Sequence, residues 1–199
     1  MNIFNEEGLI DSDAQDVLYE LGNVGLGSAT ITIGKIMGLR LQIGVPKIAP
    51  VDKKLAEQMI NFNGKFGIMM EFQKTLKGSM IISMKEEFVD IVIEKMAEED
   101  DMICDESERM SLLQEFANII CAAYLKAVGQ YTDMRIYVKP VGFNDITTDD
   151  IMIKCNKAIC IDTGFTIVYE NGEFLDDVGR VIMLPDEESA GKLIEPLCD

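Results

Sequence analysis

Two stretches of this sequence, Asp16-Val-Leu-Tyr-Glu20-Leu-Gly-Asn23 and Ser111-Leu-Leu-Gln-Glu115-Phe-Ala-Asn118, carry polar residues at the same spacing of four and then three. Residues spaced in this way fall within an arc of roughly 60° on an α-helix, because each residue turns the helix by about 100°. Each stretch therefore predicts an otherwise apolar helix with one polar stripe, on which a carboxylate lies beside a carboxamide. A hydrophobic core has no use for this pair, and its duplication favours a functional role.

Each stripe continues to a small residue, Gly27 in the first copy and Ala122 in the second. A small side chain at this point leaves room for another molecule to approach. Gly25 lies nearer the core side of the first helix, where close contact with a neighbouring element is the simpler explanation for a glycine.

The surrounding sequence predicts two similar units. In the first, a helix begins with a capping box from Ser12 and ends at Gly38. Strand-like segments follow at 41–51, 64–73 and 78–84, and an amphipathic helix at 85–97. In the second, a helix runs from Asp105 to about residue 130, strands follow at 135–142, 151–169 and 179–184, and a helix closes the chain at 186–197. The residues expected on the core side of the first helix are Leu18, Leu21, Val24, Ser28 and Ile31.

Both units thus consist of a helix, a strand, a hairpin and a second helix. We predict an α/β fold of the α+β type: a single domain over residues 1–199, with repeats at about 12–98 and 105–198. A pseudo-twofold axis relates the repeats, and the acidic linker Glu98-Glu-Asp-Asp101 joins them. Because hairpins dominate, the sheet is expected to be largely antiparallel, with the two motif-bearing helices packed on it.

The composition excludes several kinds of partner. The chain of 199 residues carries 35 acidic against 18 basic residues, a formal charge of −17. Nucleic-acid binding requires neutralisation of phosphates, so we expect no nucleic-acid partner, and an anionic membrane surface is equally disfavoured. The N-terminus predicts no signal peptide, and the longest apolar run, 119–125, is too short to span a bilayer.

The cysteines and the absence of histidine limit the chemistry further. Five cysteines include no CxxC pair, and the sequence has no histidine, so we expect no zinc site and no other metal site. An odd number of cysteines without a disulfide framework is typical of a reducing cytoplasm. Cys121 and Cys160 lie in a helix pattern and a strand pattern, so both are expected to be core thiols.

Several catalytic activities do not fit the Glu/Asn pairs. Without histidine, a serine triad is excluded, and a glycosidase would require two carboxylates at a sugar cleft. The glycines at 22–27 lie within a helix rather than after a strand, which argues against a dinucleotide site. An exposed amide can orient a water molecule and a carboxylate can hold a lysine. The pair therefore suits a phosphoryl group whose metal and lysine belong to another protein.

The pattern Asp/Ser-x3-Glu-x2-Asn-x22-Pro resembles the signature of the CheC/CheX/FliY phosphatases of bacterial chemotaxis. The first copy matches throughout, with Pro46 following Asn23 after 22 residues. The second matches Ser111, Glu115 and Asn118, but Pro140 follows after only 21 residues. The resemblance extends over residues 12–198, and two motifs in one chain are most similar to CheC-type proteins.

This resemblance implies dephosphorylation of the phospho-aspartate of a CheY-like receiver. It implies that Asn23 and Asn118 position the attacking water and that Glu20 and Glu115 pair with the receiver's lysine. Asp16 and Ser111 would have a structural or rim role, and Pro46 and Pro140 would shape the strand after each helix. Mg²⁺ would belong to the receiver, and the protein would have no cofactor of its own.

CheC-type proteins can also bind the deamidase CheD, so CheD is a second expected partner. The alternative to catalysis is a non-catalytic adaptor that binds CheD or a receiver. An adaptor has no need to keep either Glu/Asn pair, so their presence favours the phosphatase.

Overall fold

The computed structural model describes residues 3–5, 7, 9–60, 66–97, 105–139, 148–155 and 157–197. The acidic linker at 98–101 and Pro140 lie outside the described residues. The helices are α1 (Ser12–Met37), α2 (Lys53–Ile60), α3 (Glu86–Met96), α4 (Glu106–Tyr131), α5 (Thr148–Lys154) and α6 (Glu187–Ile194), followed by a 3-10 turn at Glu195–Leu197. The strands are β1 (Arg40–Ile43), β2 (Lys47–Pro50), β3 (Phe66–Lys74), β4 (Gly78–Met84), β5 (Ile136–Lys139), β6 (Ile159–Val168) and β7 (Phe174–Pro185).

Within the described residues, the strands form one seven-stranded sheet in which every pairing is antiparallel. Their order is β1-β6-β7-β4-β3-β5, and β2 also pairs with β6. The predicted combination of helices with an antiparallel sheet is confirmed. This order is symmetric about its centre. If β1 corresponds to β5, β3 to β6 and β4 to β7, the strands occur in the same order from either edge of the sheet. Two related repeats would produce such an order, and the superposition of the halves stays a prediction.

Helices cover both faces of the sheet. On one face, α1, α3, α4 and α6 enclose the main core, in which Phe88 forms edge-to-face contacts with Phe116 and Phe165. On the other face, α2 and α5 pack over a smaller cluster that includes Ala56, Ile151 and Ile182. No helix in the described ranges combines the length and the apolar character needed to cross a bilayer.

The ends of the two long helices follow local capping signals. At α4, the Asp105 side chain accepts a hydrogen bond from the Glu108 backbone and the Glu108 side chain accepts one from the Asp105 backbone, which forms a complete capping box. At α1, the capping residue is Asp11, whose side chain accepts a hydrogen bond from the Asp13 backbone, so the predicted cap from Ser12 was wrong. Gly38 ends α1 with φ +66°, as predicted.

The core side of α1 differs in part from the prediction. Leu18 and Leu21 are buried, but Ile31 is 61% exposed, so its assignment to the core was wrong. The buried side of the helix instead continues through Leu26 and Ile33. The reason is that Ile31 follows Asp16 by fifteen residues and therefore lies only about 60° from it around the helix, on the polar side.

The predicted strand at 151–169 was wrong in its first part. That part forms the helix α5, and only β6 is a strand. Ile151 and Cys155, four residues apart, both face the second core cluster. Packing of these residues near α2, another short helix that the sequence did not indicate, explains a helix in place of a strand.

Candidate functional site

The two motif-bearing helices, α1 and α4, pack against each other, and glycine makes the close approach possible. A Cβ atom placed on Gly25 would lie 2.5 Å from the ring of Tyr124, which is fully buried in α4. The close helix contact predicted for Gly25 is therefore confirmed. Burial raises the pKa of the Tyr124 hydroxyl above its usual value, so this group is a packing element at neutral pH.

The first stripe faces solvent along its length. Asp16, Glu20 and Asn23 are all exposed on α1. Beyond them, a Cβ placed on Gly27 would meet no atom within 4 Å. Packing in the described structure therefore gives no reason for a glycine here, whereas open space beside Asn23 suits the approach of another molecule.

The second stripe has the same arrangement with small differences. Ser111, Glu115 and Ala122 are exposed on α4, and Asn118 is half-buried. The Ser111 hydroxyl donates a hydrogen bond to the carbonyl of Ser107 at 2.9 Å. Ser111 is thus bonded to its own helix, which fits a structural role better than a chemical one.

Pro46 lies against the first motif from the side of the sheet. It is buried, and a Cβ placed on Gly22 would lie 2.9 Å from Pro46 Cγ. Gly22 therefore allows the proline to contact the helix next to Asn23, a feature that the sequence analysis did not anticipate. Ala117 has the corresponding place in the second motif, so a proline there would meet a methyl group.

The groups that each stripe presents are suited to positioning rather than to nucleophilic attack. A carboxamide can both donate to and accept from a water molecule, and a carboxylate can accept from a lysine. Among the residues that the structure describes, no three potential ligand side chains cluster closely enough to hold a metal ion. The thiols lie elsewhere: Cys121 and Cys160 are buried, as predicted, and burial raises the pKa of Cys121 to about 12.

Each stripe extends one turn further than the sequence analysis recognised. Ile31 follows Gly27 by four residues, and Lys126 follows Ala122 by four; both are exposed. At Lys126 the stripe reaches an open groove of about 700 Å³ between α4 and β5. Both residues could have been found from the sequence, because each lies four residues, about one helical turn, beyond the small residue of its stripe.

The sequence is similar to known proteins over almost its whole length. A family model, chemotaxis phosphatase CheX, matches residues 66–140, a range that includes α4 and its stripe. The CheY-P phosphatase CheC of Bacillus subtilis is 24% identical over 216 aligned positions, which cover 99% of this chain and 98% of that protein. The chain is therefore similar to the chemotaxis phosphatases CheX and CheC.

Solved structures of FliY and CheX proteins share the fold of this chain. Thermotoga maritima FliY has a TM-score of 0.69 at 18% identity, and the match covers 94% of this chain and 96% of that chain. CheX in the CheX–CheY–BeF3–Mg²⁺ complex of Borrelia burgdorferi matches with a TM-score of 0.54 at 17% identity, covering 82% of this chain and 96% of the other. The arrangement of long helices on an antiparallel sheet is therefore the fold that these proteins share.

Proposed function

We propose that this protein hydrolyses the aspartyl phosphate of a CheY-like receiver. The observation that carries the proposal is a Glu/Asn pair at the surface of each long helix, with Glu20, Asn23 and Glu115 exposed and Asn118 half-buried, and with open space beside Asn23 at Gly27. Two buried pairs would have had only a structural meaning. Two exposed pairs are available to a protein partner.

The proposed roles follow from the chemistry of the side chains. Asn23 and Asn118 enter the receiver's active site and hold the attacking water in line with the phosphorus. The water oxygen forms the new bond to phosphorus, the bond to the aspartate oxygen breaks, and the aspartate leaves as a carboxylate. Glu20 and Glu115 pair with the receiver's lysine, while the receiver's own Mg²⁺ neutralises the phosphoryl oxygens.

The comparisons support the same substrate class. The similar Bacillus subtilis protein is a CheY-P phosphatase, and the CheX of similar fold was solved in complex with CheY, BeF3 and Mg²⁺. The formal charge of −17 gives no basis for a nucleic-acid partner. Binding of CheD stays a prediction from the family resemblance, as does a cytoplasmic location.

The test is release of phosphate from a magnesium-bound, phosphorylated CheY-like receiver. The wild-type protein should accelerate release, and the double variant Asn23→Ala/Asn118→Ala should reduce it to the receiver's own rate. Loss of one positioned catalytic group typically costs about a hundredfold or more at its site. A matched control, Asn171→Ala, changes an exposed asparagine in the β6–β7 turn and should retain full activity.

The adaptor alternative predicts a different pattern. An adaptor would bind the receiver without accelerating release, and the double variant would bind equally well. Full wild-type activity in the double variant would remove both asparagines from the mechanism.

A further inference from the structure

The two stripes differ at the same helical position, one turn beyond the small residue. Ile31 follows Asp16 by fifteen residues, and Lys126 follows Ser111 by the same number. Each therefore lies within an arc of roughly 80° that also contains its Glu and Asn. One stripe ends in an exposed apolar side chain and the other in an exposed cation.

Charge increases the difference. The first stripe carries two carboxylates, Asp16 and Glu20, and no base, whereas the second carries Glu115 and Lys126. Lys126 makes no ion pair among the described residues. In a chain with a formal charge of −17, this cation, two turns beyond Asn118 and unpaired among the described residues, can contact an anionic partner.

A second observation distinguishes the surroundings of Lys126. It lies at the margin of the groove of about 700 Å³, whose opposite wall includes Met134, Ile136 and Tyr137. The Lys74 ammonium lies 3.7 Å from the centre of the Tyr137 ring in a cation–π contact. A partner bound at Asn118 would thus meet a positive charge and a mostly apolar groove together.

The distances suit one docked protein. Eight residues separate Asn118 from Lys126, which is about 12 Å along a helix. A standard protein interface covers about 800 Å² on each partner, a patch wide enough to include both residues. A receiver whose phospho-aspartate lies at Asn118 would therefore also cover Lys126, and a carboxylate at the edge of its bound face would be complementary to that charge.

We propose that Lys126 and the groove beside it hold an anionic edge of the receiver face that docks at Asn118 on the second stripe, whereas Ile31 makes an apolar contact at the corresponding place on the first. This inference rests on the proposed function and adds to it: the two sites recognise a receiver by different forces. Receiver binding at the second stripe then weakens with salt more steeply than binding at the first, because salt screens charges but not apolar contacts.

The experiment measures binding at one stripe at a time. The other stripe is covered by a bulky, uncharged tryptophan side chain. Gly27→Trp leaves only the second stripe open, and Ala122→Trp leaves only the first; both positions are accessible, so circular dichroism should be unchanged. Binding of a CheY-like receiver activated with Mg²⁺ and beryllofluoride is measured by calorimetry at 50 and 300 mM NaCl. In the Gly27→Trp background, Lys126→Met should raise Kd about two- to fivefold at low salt and reduce its salt dependence.

Lys54→Met is the matched control, since Lys54 is exposed on α2 at the opposite face of the sheet. It removes the same charge and should leave Kd unchanged. In the Ala122→Trp background, Ile31→Lys should weaken the apolar contact and make Kd more dependent on salt. Equal salt dependence in the two backgrounds, or equal effects of Lys126→Met and Lys54→Met, would overturn the inference.

Phosphate release by the wild-type protein is measured in parallel and separates the two possible failures. If the protein hydrolyses the phosphate but the two stripes bind the receiver with equal salt dependence, only the inference about Lys126 and Ile31 is contradicted. Absence of hydrolysis together with absence of receiver binding would overturn both proposals.

Discussion

Gly25 and Gly27 are two residues apart on α1 and have opposite surroundings. A methyl group on Gly25 would meet the Tyr124 ring at 2.5 Å, whereas one on Gly27 would meet nothing within 4 Å. We expect Gly25→Ala to destabilise the protein by about 1–3 kcal/mol, because the helices must move apart. Gly27→Ala should stabilise it by up to about 1 kcal/mol, because alanine favours a helix.

Urea unfolding of the two variants and the wild type measures these free energies. Each variant serves as the control for the other, since both replace a glycine of the same helix with the same residue. A stabilised Gly25→Ala variant would show that α1 and α4 are further apart than the structure places them.

The two glutamates give a second prediction at single residues. Glu20→Gln combined with Glu115→Gln keeps the shape of both side chains and removes the charge that would pair with the receiver's lysine. We expect KM for the phosphorylated receiver to rise about tenfold or more, with a smaller change in kcat, because a hydrogen bond to a charged group is lost. Steady-state phosphate release measures both constants. An unchanged KM would remove the proposed lysine pairing.

At this scale the sequence predicted the exposed pairs but not their neighbours. The spacing of Glu20 and Asn23 is a local property of one helix, so it could be recognised without a structure. The exposure of Ile31 follows from the same spacing, one i+4 step beyond Gly27, but the predicted stripe ended at Gly27. The contact of Pro46 with Gly22, in contrast, arises only when the chain after α1 folds back on the helix.

The long helices were predicted well because their ends carry local signals. The capping box at Asp105 and the left-handed Gly38 act through adjacent backbone groups, so their effect is readable in the sequence. The short helices α2 and α5 were missed, since helices of this length have little stability without tertiary packing. Their apolar residues become a helical pattern only when they contact each other on the second face of the sheet.

The neighbouring strands β6 and β7 share a buried ion pair that gives a pH prediction. Arg180 donates a hydrogen bond to the Asp162 carboxylate at 3.0 Å, and the Asp162 side chain is only 10% exposed. Burial raises the pKa of Asp162 above 3.8 and outweighs the opposing effects of Arg180 and Lys47. The folded state then holds its proton more tightly than the unfolded state, so stability falls as pH rises from 3.8 through the raised pKa.

Asp162→Asn removes this dependence. We expect the difference in Tm between the variant and wild type to shift in favour of the variant as the pH rises above 3.8, with each kcal/mol corresponding to about 2–4 °C. The control is Glu57→Gln, which removes one charge from an exposed position on α2. Parallel Tm curves for Asp162→Asn and wild type would show that the ion pair compensates for burial over the whole range.

For the molecule as a whole, the duplication in the sequence agrees with the symmetric order of strands. The pattern alone predicted helices on an antiparallel sheet, because each unit combines hairpins with amphipathic helices. It did not predict that β4 and β7 form the centre of the sheet, with Met84 opposite Gly179 and Gly78 opposite Pro185. Pairing between repeats depends on long-range contacts, which leave no periodicity in the sequence.

The duplication leads to a last prediction about how the sites share the work. The stripes lie on different helices, so removal of one amide should leave the other site's chemistry intact. At receiver concentrations well below KM, the rates of Asn23→Ala and Asn118→Ala should therefore add up to the wild-type rate, after the receiver's own decay is subtracted. The shares need not be equal, because Asn118 is half-buried and Ala117 replaces Gly22 in the second motif.

Phosphate release from one receiver, measured with wild type, both single variants and the double variant, supplies the four rates. A sum well below the wild-type rate would mean that the sites depend on each other, for example through a shared receiver. A single variant as slow as the double variant would show that only one stripe is catalytic, and the other would then be a docking surface.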